Sequence, residues 1–186
     1  MAKDVIRLQS GGNVGLTSNN PFLKELIVGF GWELIPSNGP QTELVPSAIM
    51  LDANGNALSP EHFVFFNQLS TPDDAVRYVT KSDKEQLEVD LSLIPKEVAK
   101  IVFIVYADPD LRKPGNFGSV RSSYMRVADR EDQDIATYDL EPVSNDVTAL
   151  IFGEIYRYNG AWKFRAVGQG YTTGLNGVIE TYGLKS

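Results

Sequence analysis

The chain contains no cysteine and one histidine, His62, in 186 residues. Without thiols it has no disulfide bond, no thiol redox chemistry and no cysteine-bound zinc or iron–sulfur centre. A single imidazole also excludes the histidine clusters that bind transition metals. We therefore expect His62, which follows Pro60-Glu61 and precedes an apolar run, to be a surface or strand-entry residue.

Basic residues are also few, with 17 Lys and Arg against 24 Asp and Glu, a formal charge of -7 and a pI near 4.7. Nucleic-acid binding needs a basic face that neutralises phosphates, so this balance argues against it. No apolar run approaches the roughly 18 residues that cross a bilayer. The start, residues 1–5, lacks the apolar core of a secretory signal, so we expect neither membrane insertion nor secretion.

The chain does contain short apolar runs, separated by Gly, Pro, Asn and Asp. These runs are Leu26–Trp32, Ala48–Leu51, Phe63–Phe66 and Ile101–Tyr106. Runs of this length and spacing predict an all-β fold, an antiparallel β-sandwich or barrel, with few short helices. We interpret residues 1–186 as a single domain, since the length suits one and no clear linker divides it. Ile101–Tyr106 is β-branched or aromatic almost throughout and predicts a central strand buried on both faces.

Asn159-Gly160 predicts a β-hairpin, because this pair is preferred in two-residue type I′ turns. The turn sets a register in which Glu154 faces Arg165 and Arg157 faces Trp162. We interpret Glu154 as one half of a structural ion pair, although a catalytic role is the alternative, and Arg157 as a cation–π partner of Trp162.

Near the C-terminus, Leu175, Val178, Ile179 and Tyr182 fall at helical spacing. Gly183 follows them as a helix stop, because glycine readily adopts the left-handed conformation found there. The sequence therefore predicts one short helix after the last strand.

Several segments together resemble the TerD domain, a tellurium-resistance and stress-response family. They are Gly11–Val14, Val28–Trp32, Asn116–Arg121, Tyr138–Leu140, Phe152–Arg157 and Trp162–Tyr171. The last segment, WKFRAVGQGY, is the longest and most specific of them. The similarity covers nearly the whole chain in the expected order.

The resemblance implies a two-sheet β-sandwich and a cytoplasmic, bacterial stress-response protein of a family linked to resistance to tellurite, other chemical damage and phage. No enzymatic activity is established for the domain. Family members typically bind calcium through acidic loops and are thought to work with other proteins of the same stress-response or tellurite-resistance operon. These are expectations for this chain.

The sequence departs from the family where calcium is expected to bind. The family's alternating aspartates align with Gln41–Ala48, where Glu43 keeps a carboxylate and Val45 does not. The second acidic segment is shortened to Tyr78–Glu85, where Asp83 and Glu85 match but Lys84 replaces an acid. The surviving metal candidates are therefore Glu43, Asp83 and Glu85. Calcium takes about six to eight oxygen ligands, so we expect a degenerate calcium site and no cofactor.

Three functions remain in competition. The first is a non-enzymatic interaction module in stress response, and the second is a calcium-binding stress sensor like the acidic family members. The third is an enzyme with Glu154 or Asp139 as acid or base, which only the presence of carboxylates favours.

Overall fold

The computed structural model describes residues 5–36, 42–81, 84–108 and 116–184, without the side chains of Thr80, Lys81 and Lys84. The strands in these residues are β1 (Ile6–Leu8), β2 (Asn13–Gly15), β3 (Glu25–Leu34), β4 (Leu44–Leu51), β5 (Phe63–Val64), β6 (Val76–Lys81), β7 (Lys84–Asp90), β8 (Lys100–Ala107), β9 (Val120–Ala128), β10 (Asp134–Asp139), β11 (Ala149–Tyr158) and β12 (Ala161–Tyr171). One α-helix, α1 (Gly174–Thr181), follows β12, and short 3-10 turns cover Pro60–His62, Leu91–Leu93 and Phe117–Ser119.

The strands form two six-stranded sheets. The first sheet has the order β1-β10-β9-β3-β7-β6, and the second has the order β2-β12-β11-β8-β4-β5. Strand pairs are antiparallel except for β1 and β10, which are parallel. The all-β, two-sheet sandwich with few short helices is therefore confirmed.

The apolar residues divide between two clusters, and β8 contributes to both. Ile101, Phe103 and Val105 lie in the main core between the sheets. Val102 and Ile104 lie in a second cluster on the outer face of the second sheet, where α1 packs. The prediction of a central strand buried on both faces is confirmed, and α1 explains why the outer face is apolar.

The hairpin across Asn159-Gly160 has the predicted register, with Glu154 opposite Arg165 and Arg157 opposite Trp162. Asn159 and Gly160 have φ angles of 49° and 79°, as a type I′ turn requires. The Arg157 guanidinium lies 4.3 Å from the Trp162 ring centroid, which confirms the predicted cation–π contact. Its Nε also donates to the Val98 carbonyl at 2.8 Å. Desolvation lowers the pKa of Arg157.

The C-terminal helix is also confirmed, and it ends at the predicted glycine. Gly183 has a φ of 80°, and the amide of Leu184 donates to the Ile179 carbonyl at 3.1 Å. This pattern is a glycine C-cap. Val178 and Ile179 are buried against the second sheet.

Glycines in β3 allow two large side chains to lie across the outer face of the first sheet. A Cβ at Gly29 would meet Arg126 Nε at 2.8 Å, and one at Gly31 would overlap the Tyr124 ring. Arg126 and Tyr124 lie on β9 opposite these glycines. The alternating glycines of residues 28–32 thus have a packing role.

Candidate functional site

Two of the three predicted metal candidates come together at one end of the sandwich. Glu43 immediately precedes β4 in the second sheet, and Glu85 is the second residue of β7 in the first sheet. Because the charge of Glu43 acts on the Glu85 carboxyl, the two groups lie within electrostatic range. We call Glu43 and Glu85 the carboxylate pair. Asp83, the third candidate, lies outside the described residues.

Burial distinguishes the members of the carboxylate pair. Glu43 is exposed, whereas Glu85 is half-buried. Burial and, secondly, the negative charge of Glu43 raise the pKa of the Glu85 carboxyl. The Tyr78 hydroxyl donates a hydrogen bond to Glu85 Oε2. Glu85 is therefore held in place on a strand and is not a solvated loop residue.

The backbone around Glu43 is anchored on both sides. The amide of Asp108, just after β8, donates to the Glu43 carbonyl at 3.2 Å. The neighbouring Thr42 side chain is buried and donates to the Asn116 carbonyl at 3.0 Å. The Ser119 hydroxyl in turn donates to Thr42 Oγ1 at 3.2 Å. These contacts hold the backbone at Glu43 in place.

Beside Glu85, the ends of β3 and β9 form an open cavity of about 390 Å³. Trp32, Glu33 and Tyr124 contribute to its walls. Glu33 is paired with Arg121 at 3.1 Å across the two strands. The cavity has an aromatic and an acidic side, which is the chemistry of a binding surface.

The stretch that aligns with the family's alternating aspartates is largely strand, not loop. Pro46 lies within β4, opposite Val105. Val45 belongs to the second apolar cluster. A carboxylate at Val45 would enter an apolar environment, so this position contributes to packing in this chain.

The described residues supply few oxygens for calcium at this end. The carboxylate pair contributes two carboxylates, and Tyr78 already hydrogen-bonds one oxygen of Glu85. Among the described ranges, no group of three or more acidic, histidine or cysteine side chains is arranged to hold a metal ion. Calcium takes roughly six to eight oxygen ligands, which is more than these two carboxylates supply by themselves.

His62 has partners that its sequence spacing did not indicate. It lies directly before β5, as predicted, but its side chain is 15% exposed. Ser59 Oγ lies 2.7 Å from Nδ1, and Asp73 Oδ2 lies 3.3 Å from Nε2. Asp73 also accepts hydrogen bonds at Oδ1 from Thr71 at 2.6 Å and from the Ala75 amide at 3.0 Å.

These contacts hold together the segment that connects the two sheets. β5 is an edge strand of the second sheet, and β6 is an edge strand of the first. His62 precedes β5 and Asp73 precedes β6, so their pairing closes one side of the sandwich. The sequence alone does not indicate this pair, because the two residues meet only after the chain crosses between the sheets.

The two carboxylates considered for acid–base catalysis occupy different environments. Glu154 lies 4.0 Å from Arg165 and 3.6 Å from Lys100, which supports the structural ion pair. Asp139 is exposed at the end of β10.

The match to a family model covers residues 5–182 and identifies a TerD domain. The chain is 36% identical to the tellurium resistance protein TerD of Serratia marcescens, with 97% of this chain and 98% of the relative covered. It is 35% identical to general stress protein 16U of Bacillus subtilis, with the same coverage. The chain belongs to the TerD domain family.

A solved structure supports the fold independently of close sequence similarity. It is a homologue of the telluride resistance protein TerD from Streptomyces coelicolor, with a TM-score of 0.65 and 20% identity. The match covers 88% of this chain and 99% of that chain. In the parts of the chain that the structure describes, no helix is long and apolar enough to span a membrane.

Proposed function

We propose that this protein is a non-enzymatic stress-response module that acts by binding other proteins in the cytoplasm, and that its calcium site is degenerate. Its partners would be other stress-response or tellurite-resistance proteins encoded in the same operon. The observation that carries the proposal is membership of a family whose named relatives are resistance and stress proteins.

The degenerate calcium site follows from side chains at the expected ligand positions. Val45 packs in an apolar cluster where the resemblance expects an aspartate. Lys84 places an ammonium group in the sequence between two of the surviving candidates. Both changes lower the number of carboxylates available, and calcium affinity depends on that number.

The proposal includes that the protein does not itself reduce tellurite. Reduction of tellurite needs an electron donor, and the chain contains no cysteine and no recognisable flavin or nicotinamide motif. Purified protein should therefore form no elemental tellurium from tellurite when no cofactor is added.

A calcium-binding stress sensor is the second candidate, and one observation favours it. Burial and, secondly, the like charge of nearby Glu43 raise the pKa of Glu85. A divalent cation between the two carboxylates would relieve that repulsion. The sensor hypothesis therefore predicts that tellurite resistance depends on the carboxylate pair.

Genetic complementation separates the two candidates. In a strain that lacks the gene and is sensitive to tellurite, the double variant Glu43→Gln, Glu85→Gln should restore resistance as well as the wild type does. Glu88→Gln on the same strand is the matched control. Failure of the double variant, with normal expression and a melting temperature no lower than that of the wild type, would favour the sensor.

The interaction itself is tested by calorimetry with purified products of the neighbouring genes. We expect at least one of them to bind the full chain in calcium-free buffer containing a chelator. Binding that appears only with added calcium, or no binding to any of these proteins, would contradict the proposed module.

A further inference from the structure

A second cavity lies at the other end of the sandwich from the carboxylate pair. In the first sheet, β7 begins near Glu85 and ends at Asp90. β9 ends at Ala128, in the half of the sheet that contains Asp90. The turn after β9 faces the loop after β2, and together they enclose about 570 Å³. We call this space the distal cavity.

The floor of the distal cavity is apolar and belongs to the main core. Val14, Leu16 and Leu23 form it, and all three are buried. Val5 and Ile6 form an apolar side of the mouth and are 42% and 41% exposed. An apolar ligand group entering the cavity would therefore lose contact with water on several sides.

The rim of the distal cavity is negatively charged. Asp129, Asp132 and Asp134 line it, and Arg126 is the one basic residue among the described residues that line it. Arg126 donates to Asp132 at 2.6 Å and to Asp134 at 2.8 Å. Three carboxylates against one guanidinium leave a negative rim, and both terminal nitrogens of Arg126 already have carboxylate partners.

Both walls of the distal cavity are preformed. Asp129 Oδ1 accepts hydrogen bonds from the amides of Glu131 and Gln133, each at 3.0 Å. On the opposite wall, Asn19 Nδ2 donates to the Gly15 carbonyl at 2.9 Å. Ligand sites are typically concave, largely preformed and mainly apolar, with a few fixed polar groups, and the cavity volume lies in the usual range.

We propose that the distal cavity binds a small organic cation, with an apolar body against Leu16 and Leu23 and a protonated amine at the carboxylate rim. Charge complementarity selects a cation over a neutral or anionic molecule of the same shape. The site is separate from the carboxylate pair and does not depend on the proposed interaction with operon proteins.

Three probes of the same shape test the charge requirement in the full-length chain. They are 1-naphthylmethylammonium, the neutral 1-naphthalenemethanol and the anionic 1-naphthoate, each titrated while backbone amide shifts are followed by NMR. We expect shifts at Leu16, Leu23 and Gln133, with affinity falling from the cation to the neutral probe to the anion. Added salt should weaken the binding of the cationic probe most.

Asp132→Asn removes a rim charge and keeps the shape. Asp132 has a φ of 63°, a conformation that asparagine also adopts, so the fold should persist. Affinity for the cationic probe should fall roughly two- to fivefold, and affinity for the neutral probe should stay the same. Asp139→Asn, an exposed change at the other end of β10, is the matched control and should alter neither affinity.

Ile6→Ala tests the apolar contribution without changing charge. Ile6 is an exposed residue of the edge strand β1, so its truncation should leave the protein folded. The variant should lower the affinities for the cationic and neutral probes by the same factor. The proposal is wrong if the three probes bind equally, if the shifts occur elsewhere, or if millimolar cation causes none.

Discussion

Glu43 and Glu85 are the same side chain in different surroundings, and the difference is set by which strand each one adjoins. Glu43 is exposed before β4, whereas Glu85 is half-buried on β7 under the Tyr78 hydroxyl. Burial disfavours the charged form of Glu85, and the charge of Glu43 adds to the effect. At neutral pH, ionised Glu85 therefore reduces the stability of the fold.

Glu85→Gln should raise the melting temperature at pH 7. The pKa of Glu85 is raised in the folded state, so the folded protein binds its proton more tightly than the unfolded chain does. Its contribution to stability is thus greatest at low pH and is lost as pH rises through the raised pKa. Solvent screening of a half-exposed group limits the gain to below about 1 kcal/mol, or a few degrees.

Thermal melts between pH 4 and pH 7 measure this effect. The advantage of Glu85→Gln should shrink as pH falls toward 4, because wild-type Glu85 is then protonated as well. Glu88→Gln is the control on the same strand, where Glu88 pairs with Arg77 at 3.3 Å, and it should give no gain. A variant less stable than the wild type at pH 7 would contradict the raised pKa.

At the scale of elements, the ion pair of the β11–β12 hairpin is part of a cluster of charged side chains that spans three strands. Glu154 on β11 lies between Arg165 on β12 and Lys100 on β8, at 4.0 Å and 3.6 Å. The Glu154 side chain is 13% exposed, so both cations act on a mostly buried carboxylate. Lys100 is missing from the sequence-based interpretation because its strand joins β11 from a distant part of the chain.

Double-mutant cycles should find coupling from Glu154 to both cations. We expect a few tenths to about 1 kcal/mol for Glu154 with Arg165, and at least as much for Glu154 with Lys100. Urea unfolding of the Gln and Met variants gives these values. Glu33 with Arg121, a cross-strand pair in which both side chains are more than half exposed, is the control and should couple less. Zero coupling of Glu154 to both cations would contradict the cluster.

Helix α1 covers the second apolar cluster, so the residues on its buried face should contribute to the free energy of unfolding. Ile179→Ala should cost about 2 kcal/mol, because it removes buried methylene groups where the surroundings relax only partly. Glu180→Ala, an exposed neighbour on the same helix, should change the free energy of unfolding by less than about 0.5 kcal/mol. A similar urea midpoint for both variants would show that α1 does not pack as described.

Local patterns predicted the elements well, and long-range pairing explains the rest. Asn159-Gly160 determines its hairpin through its own backbone preferences, and Gly183 ends α1 in the same way. In contrast, Pro46 lies in β4 at a position where, among the described residues, no strand pairs on the side of β5, since β5 pairs with β4 at Ala48 and Ile49. A missing N–H is tolerated at such an edge.

The candidate sites were harder to predict from the sequence than the strands and the helix, because they depend more on tertiary structure. Glu43 and Glu85 were chosen by resemblance, but their proximity arises because they lie at the same end of different sheets. His62 and Asp73 meet across the connection between two edge strands, which no residue spacing indicates. Sequence patterns identify which residues carry charge, whereas the packing of the two sheets determines which charges meet.

At the scale of the whole molecule, the sandwich presents two chemically different ends. The carboxylate pair lies at one end beside an open cavity with aromatic walls, and the distal cavity lies at the other with an apolar floor. Strands of both sheets span the distance between these ends through a continuous buried core. A ligand specific to the folded state at either end would raise the stability of the whole domain.

Calcium should leave the melting temperature almost unchanged. A ligand at 1,000 times its dissociation constant stabilises a protein by about 4.1 kcal/mol, so micromolar affinity would give that gain in roughly 1 mM calcium. For a chain of this size, such a gain corresponds to a shift of roughly 8–16 °C. Because the donor set of the carboxylate pair is short of oxygens, we expect a shift below about 1 °C. Melts in calcium, in magnesium at equal ionic strength and in chelator separate specific binding from a general salt effect. A calcium-specific rise of several degrees, absent in the double variant Glu43→Gln, Glu85→Gln, would make the carboxylate pair a working calcium site and the protein a sensor.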